Sequence, residues 1–68
     1  RMGAAEKILK QGLEEAAERH MEVIFLEVRV SNLPAQSLYR KYNFQTVSVR
    51  QDVYELPREN GYIMSRKV

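Results

Sequence analysis

Apolar residues recur at helical spacing through residues 4 to 19, "AAEKILKQGLEEAAER". Ala5, Ile8, Leu9, Leu13, Ala16 and Ala17 share one side, and this period predicts an amphipathic helix. Glu6, Lys7, Lys10, Glu14, Glu15, Glu18 and Arg19 take the wet side. Glu6–Lys10 and Glu15–Arg19 have the spacing of favourable pairs one turn apart. Gly12 in the interior costs about 1 kcal/mol relative to alanine. Close packing of the helix backbone against a sheet is the expected reason for it.

The period then changes. Residues 22 to 30 read as a strand, with Val23, Phe25, Glu27 and Arg29 on one face and Ile24, Leu26, Val28 and Val30 on the other. Four consecutive apolar residues suit an interior strand covered on both sides. Asn32 can cap a second helix, and Pro34 is tolerated in its first turn, where its missing N–H costs nothing. Ala35, Leu38, Tyr39 and Tyr42 carry that helix to about Tyr42, with Asn43 as its C-terminal cap. Residues 44 to 54 read as a strand whose broken alternation predicts a bulge or an edge. "ELPRENG" reads as a loop, with Pro57 and Asn60-Gly61 as its turn residues. "YIMSRKV" closes as a last strand, antiparallel to the one before it. The order is α-β-α-β-β, an α/β (α+β) chain.

Composition narrows the classes. At 68 residues there is one domain at most. With no cysteine and one histidine, no disulfide or thiolate site can staple it, and no metal site is expected. A formal charge of +2 with scattered basic residues suits an anionic small ligand. It lacks the aromatic-plus-basic face of an RNA-binding sheet, so nucleic acid is not expected as a partner. No apolar run approaches the roughly 20 residues of a membrane span, so a cytoplasmic protein without membrane contact is the default. The chain opens on Arg1 rather than methionine, which points to a partial sequence.

Three places carry candidate chemistry. In "RMGAAE", a glycine and small residues open a helix, where backbone N–H groups can approach an anion. Read alone, it is an ordinary helix start. Glu27 ends the first strand, and the carboxyl ends of strands line the ligand crevice in open α/β sheets. A carboxylate there is either a general base or a solvated strand end paired with Arg29 or Arg50. Asn32 precedes Tyr39, which is either a proton donor at the same crevice or a core tyrosine with a wet tip. His20 reads as a helix-end residue, with a general-base role as the alternative.

"LEVRVSNLPAQSLYRKYNF" resembles the GNAT (GCN5-related) N-acetyltransferases, in particular the alanine N-acetyltransferases of ribosomal protein S18. Their pattern is LEVRxSNxxAxxLYxxxGF. The chain matches it at Leu26, Glu27, Val28, Arg29, Ser31, Asn32, Ala35, Leu38, Tyr39 and Phe44, with Asn43 at the glycine. Gly3 and Ala5 fit the second half of the family's Q/R-x-x-G-x-G/A motif. "ENGYIM" resembles its closing "EDAxxM" strand, with Gly61 in place of the alanine.

The resemblance spans residues 1 to 68 and implies the C-terminal half of a GNAT domain with a mixed sheet. It implies acetyl-CoA as donor and a protein N-terminal α-amine as acceptor, with the alanine of S18 the leading case. Backbone amides of Arg1, Met2, Gly3, Ala4, Ala5 and Glu6 would hold the pyrophosphate, and Asn32 would touch the cofactor arm. Glu27 would take the amine proton, and Tyr39 would protonate the departing thiolate. The half-domain alone is expected to be inactive. The alternative is a non-catalytic fragment that assembles as a homodimer through an exposed sheet edge.

Overall fold

The computed structural model describes residues 3–68. It has five elements: α1 Gly3–Glu18, β1 Val23–Arg29, α2 Leu33–Lys41, β2 Gln45–Glu55 and β3 Arg58–Lys67. The strands form one sheet in the order β1-β3-β2, so the last strand lies in the middle. Both ladders are antiparallel, with Leu26 opposite Met64, Val28 opposite Tyr62 and Arg50 opposite Gly61. The parallel neighbour that a mixed sheet requires is not among these strands. β1, expected inside the sheet, is its edge. Phe25 is accordingly 62% exposed, so only one face of β1 is covered.

The covered face carries the core. Val28, Ala35, Phe44 and Met64 are buried together, with Leu9, Leu13, Ile24, Leu26, Tyr39, Tyr42 and Tyr62 packed around them. Phe44 and Met64 are the fully buried large side chains, each contributing roughly 1.5–3 kcal/mol by leaving water. α1 buries a narrower stripe than its period suggested, because Ile8 is 68% exposed. Gly12 does not mark close packing either: a β-carbon built there meets nothing within 4 Å.

Both helices stop in the same way. At the end of α2, Asn43 adopts φ 71°, its N–H donates to the Arg40 carbonyl at 2.9 Å, and the Phe44 N–H donates to Tyr39 at 2.9 Å. This is a Schellman motif. Its customary apolar contact is the Tyr39–Phe44 ring pair, 5.9 Å between centroids. α1 repeats the pattern with His20 at φ 60° and the Met21 N–H donating to Ala16 at 3.0 Å. His20 is thus an exposed cap.

The hairpin differs from the reading of its sequence. β2 and β3 are joined at Leu56-Pro57, since Glu55 pairs directly with Arg58. Asn60 and Gly61 lie inside β3 instead of in a turn. The expected irregularity in β2 is there, as register shifts between Thr46 and Ser48 and between Arg50 and Tyr54. In the second shift Asp52 takes φ 51°, and its N–H donates to the Asn60 side chain at 2.8 Å. The Asn60 amide therefore satisfies a bulge, the work that a turn assignment missed.

Candidate functional site

Side-chain alternation puts Glu27 on the open face of the sheet, away from the helices. Its Oε2 lies 3.6 Å from Arg50 Nη1 on β2. That is an ion pair too long for a good hydrogen bond. The Glu27 side chain is 30% exposed, and that of Arg50 60%. The carboxylate lies over Gly61 of β3: a β-carbon there would sit 3.0 Å from Glu27 Oε2, 3.0 Å from Val53 Cγ2 and 3.1 Å from Tyr54 Cε2. The bare glycine is what lets these three side chains converge.

Arg29, two residues on, is fully engaged. Its Nη1 donates to Glu59 Oε2 at 2.8 Å and to the Pro57 carbonyl at 3.2 Å, and its guanidinium lies 4.2 Å over the Tyr54 ring. Of the two arginines considered as partners for Glu27, Arg50 takes the role. Glu59 also accepts from the Ser31 N–H and hydroxyl, each at 3.1 Å. The bond from Arg29, aided by those from Ser31, holds the Glu59 carboxyl below its ordinary range. Asn32 caps α2, its Oδ1 accepting from the Ala35 N–H at 3.2 Å. Its side-chain NH2 donates to no partner among the described residues. Tyr39 packs on the helix-covered side, beside Phe44. Glu27 and Tyr39 therefore leave their elements on opposite sides of the sheet and are not in contact.

Arg1 and Met2 lie outside the described residues. Gly3, Ala4 and Ala5 are exposed at the start of α1, where nothing crowds Gly3. The first N–H groups of a helix lack intrahelical acceptors, so these small residues leave them open to a ligand. Glu6 has a different occupation. Its carboxylate accepts from the Tyr42 hydroxyl and from Lys41 Nζ at 3.0 Å, pinning α1 to α2. The bond from Tyr42, then that from Lys41, lowers the Glu6 pKa. The same contact raises those of Tyr42 and Lys41. The helical spacing pointed to Lys10 as the partner; the ion pair is made 35 residues away.

Sequence reading did not single out Lys41, Tyr42 or Glu59. "ENGYIM" contained the signal for Glu59, a strand-end carboxylate able to answer Arg29. A hollow of about 450 Å³, lined in part by Val23, Gln45, Arg66 and Lys67, lies at the other end of β1 from Glu27.

The chain is similar to known proteins. The pattern of the acetyltransferase (GNAT) family matches residues 1–44, and the chain belongs to that family. Two curated relatives are N-acetyltransferases. The [ribosomal protein bS18]-alanine N-acetyltransferase of Haemophilus ducreyi is 36% identical over 66 residues, 93% of this chain and 46% of that protein. The N-alpha-acetyltransferase of Saccharolobus solfataricus is 40% identical over 67 residues, 97% of this chain and 40% of that protein. The crystal structure of the ribosomal-protein-S18-alanine N-acetyltransferase of Escherichia coli superposes with a TM-score of 0.90 at 30% identity. It is covered over 45% of its length by 100% of this chain. The chain thus spans less than half the length of each of these three proteins.

Proposed function

We propose that the protein carrying this chain moves an acetyl group from acetyl-CoA to the N-terminal α-amine of a protein, with the alanine of ribosomal protein S18 as the leading acceptor. Residues 1–68 form part of its GNAT domain, in a cytoplasmic enzyme that works without a metal. The observation that carries this reading is the place of Glu27. It stands near the end of β1 on the open face, tied only loosely to Arg50, in a chain whose curated relatives are N-acetyltransferases.

Acetyl-CoA supplies the activated thioester. The backbone N–H groups of residues 1 to 6 bind its pyrophosphate, and Asn32 offers its amide NH2 to the pantetheine arm. The acceptor amine, with an ordinary pKa of about 8, must be neutral to attack. Glu27 takes its proton as the nitrogen bonds to the acetyl carbon. Tyr39 gives a proton to the sulfur as the C–S bond breaks.

The test is Glu27→Gln in the complete enzyme, assayed with acetyl-CoA and an alanine-started peptide. A general base contributes roughly 10²–10⁴-fold, so the rate should fall at least a hundredfold. An unchanged rate with an unchanged pH dependence would remove the role.

A second reading keeps these 68 residues as a non-catalytic piece. The unpaired edge of β1 and the 62% exposed Phe25 beside it favour it. Two copies pairing along that edge would sediment as a dimer, and the chain alone would show no turnover.

A further inference from the structure

Residues 29 to 32 connect the end of β1 to the first turn of α2, and two largely buried side chains grip them from opposite sides. Gln36, 3% exposed, reaches back from α2. Its Nε2 donates to the carbonyls of Arg29 at 3.0 Å and Val30 at 2.9 Å. From the sheet, the Glu59 carboxylate, 13% exposed, takes Arg29 Nη1 at 2.8 Å and both the N–H and the hydroxyl of Ser31 at 3.1 Å. The Val30 N–H completes the grip on the Asn60 carbonyl at 3.2 Å. α2 does not need Glu59 in order to start, because Asn32 supplies its cap. What Glu59 adds is a fixed place for Ser31, the residue just before Asn32.

We infer that Glu59 is a positioning residue for the donor substrate: by holding Ser31 it fixes where Asn32 presents its amide NH2 to acetyl-CoA. This rests on the acetyl-CoA reading above. Bonds to an ionised acceptor are roughly twice as strong as neutral ones, and here one carboxylate gathers three. Glutamine at 59 keeps the length but loses the charge. With one carbonyl oxygen left to accept, its NH2 opposes either the Ser31 N–H, at the place of Oε1, or the Arg29 guanidinium and Ser31 hydroxyl, at the place of Oε2. The loop then spends part of its time elsewhere, and affinity falls by the fraction of molecules still competent. A competent fraction of about one in five to one in ten weakens binding about five- to tenfold.

The experiment is calorimetric titration of acetyl-CoA into the complete enzyme and its Glu59→Gln and Ser31→Ala variants, below their thermal midpoints. Expected are a Kd about five- to tenfold weaker for Glu59→Gln and about twofold weaker for Ser31→Ala. In kinetics, KM for acetyl-CoA should move more than kcat. A purely structural role lowers the thermal midpoint and leaves Kd alone, so a folded Glu59→Gln within measurement error of wild type overturns the inference. If Glu59→Gln does not fold, an unchanged Kd in Ser31→Ala overturns it instead. Wild-type enzyme that fails to bind acetyl-CoA overturns the reading beneath it.

Discussion

Replacing Gly61 by alanine sets two magnitudes against each other. Gly61 is not in the left-handed region, so alanine can take its backbone conformation. The gain is about 0.4–1 kcal/mol, from the freedom that glycine gives the unfolded chain. Against it stand three atoms at 3.0, 3.0 and 3.1 Å from the new methyl, where carbon atoms prefer roughly 3.5–4.0 Å. The Glu27 carboxylate is the tip of a flexible side chain and can swing away. Val53 is β-branched and stiff at its first torsion. Tyr54 lies under the Arg29 guanidinium. Two of three walls therefore resist, and inserting a methylene into a packed place costs about 1–3 kcal/mol. The expected net is a loss of about 1 kcal/mol.

With a urea slope of about 1–3 kcal/mol/M, that loss lowers the midpoint by about 0.3–1 M. The swing of Glu27 should also slow acetyl transfer, since a displacement of about 1 Å can cost a hundredfold. Urea unfolding and the steady-state rate of the complete Gly61→Ala enzyme test both parts. A variant more stable than wild type, with its rate intact, would refute the reasoning: the bulge at Asp52 would then yield freely, and Gly61 would not shape the seat of Glu27. The resemblance makes this a demanding test, because the related motif has alanine at this position.

Two further outcomes follow from the caps and the carboxylates. Asn43→Gly should leave stability unchanged or slightly raised, whereas Asn43→Val should cost about 1–2 kcal/mol in thermal unfolding, because φ 71° is adverse to a β-branched residue. Glu59, with its folded pKa lowered below the ordinary 4.5, stabilises fully above that value and loses its contribution as pH falls through the folded pKa. Acid titration followed by circular dichroism should therefore show a shallower loss of stability below about pH 4.5 in Glu59→Gln than in wild type.

Local signals carried far along this chain. Helical period placed α1 and α2 within a residue or two, and the strand before α2 was legible from "VIFL" followed by charges. Asn43, standing where the related motif has glycine, disclosed the left-handed cap. What local spacing could not reveal was every contact made across the chain. Glu6 has Lys10 one turn away, yet it is held by Lys41 and Tyr42 from another helix. Asn60-Gly61 has turn chemistry by itself, but in the sheet its amide caps a bulge and its missing β-carbon admits Glu27. Ile8 fits the apolar period yet is 68% exposed, which period alone could not disclose. Candidate roles for Glu27, Asn32 and Tyr39 came from the resemblance; residue chemistry alone left each with an ordinary structural alternative.

The position of β3 between its two elders has a consequence for synthesis. Among the described strands β1 and β2 share no ladder, so these three join into one sheet only once β3 has been made. At roughly 5–20 residues per second, β3 follows the Val23–Leu26 run by some seconds. A stop codon early in β3 would remove the ladder through which β1 and β2 are joined.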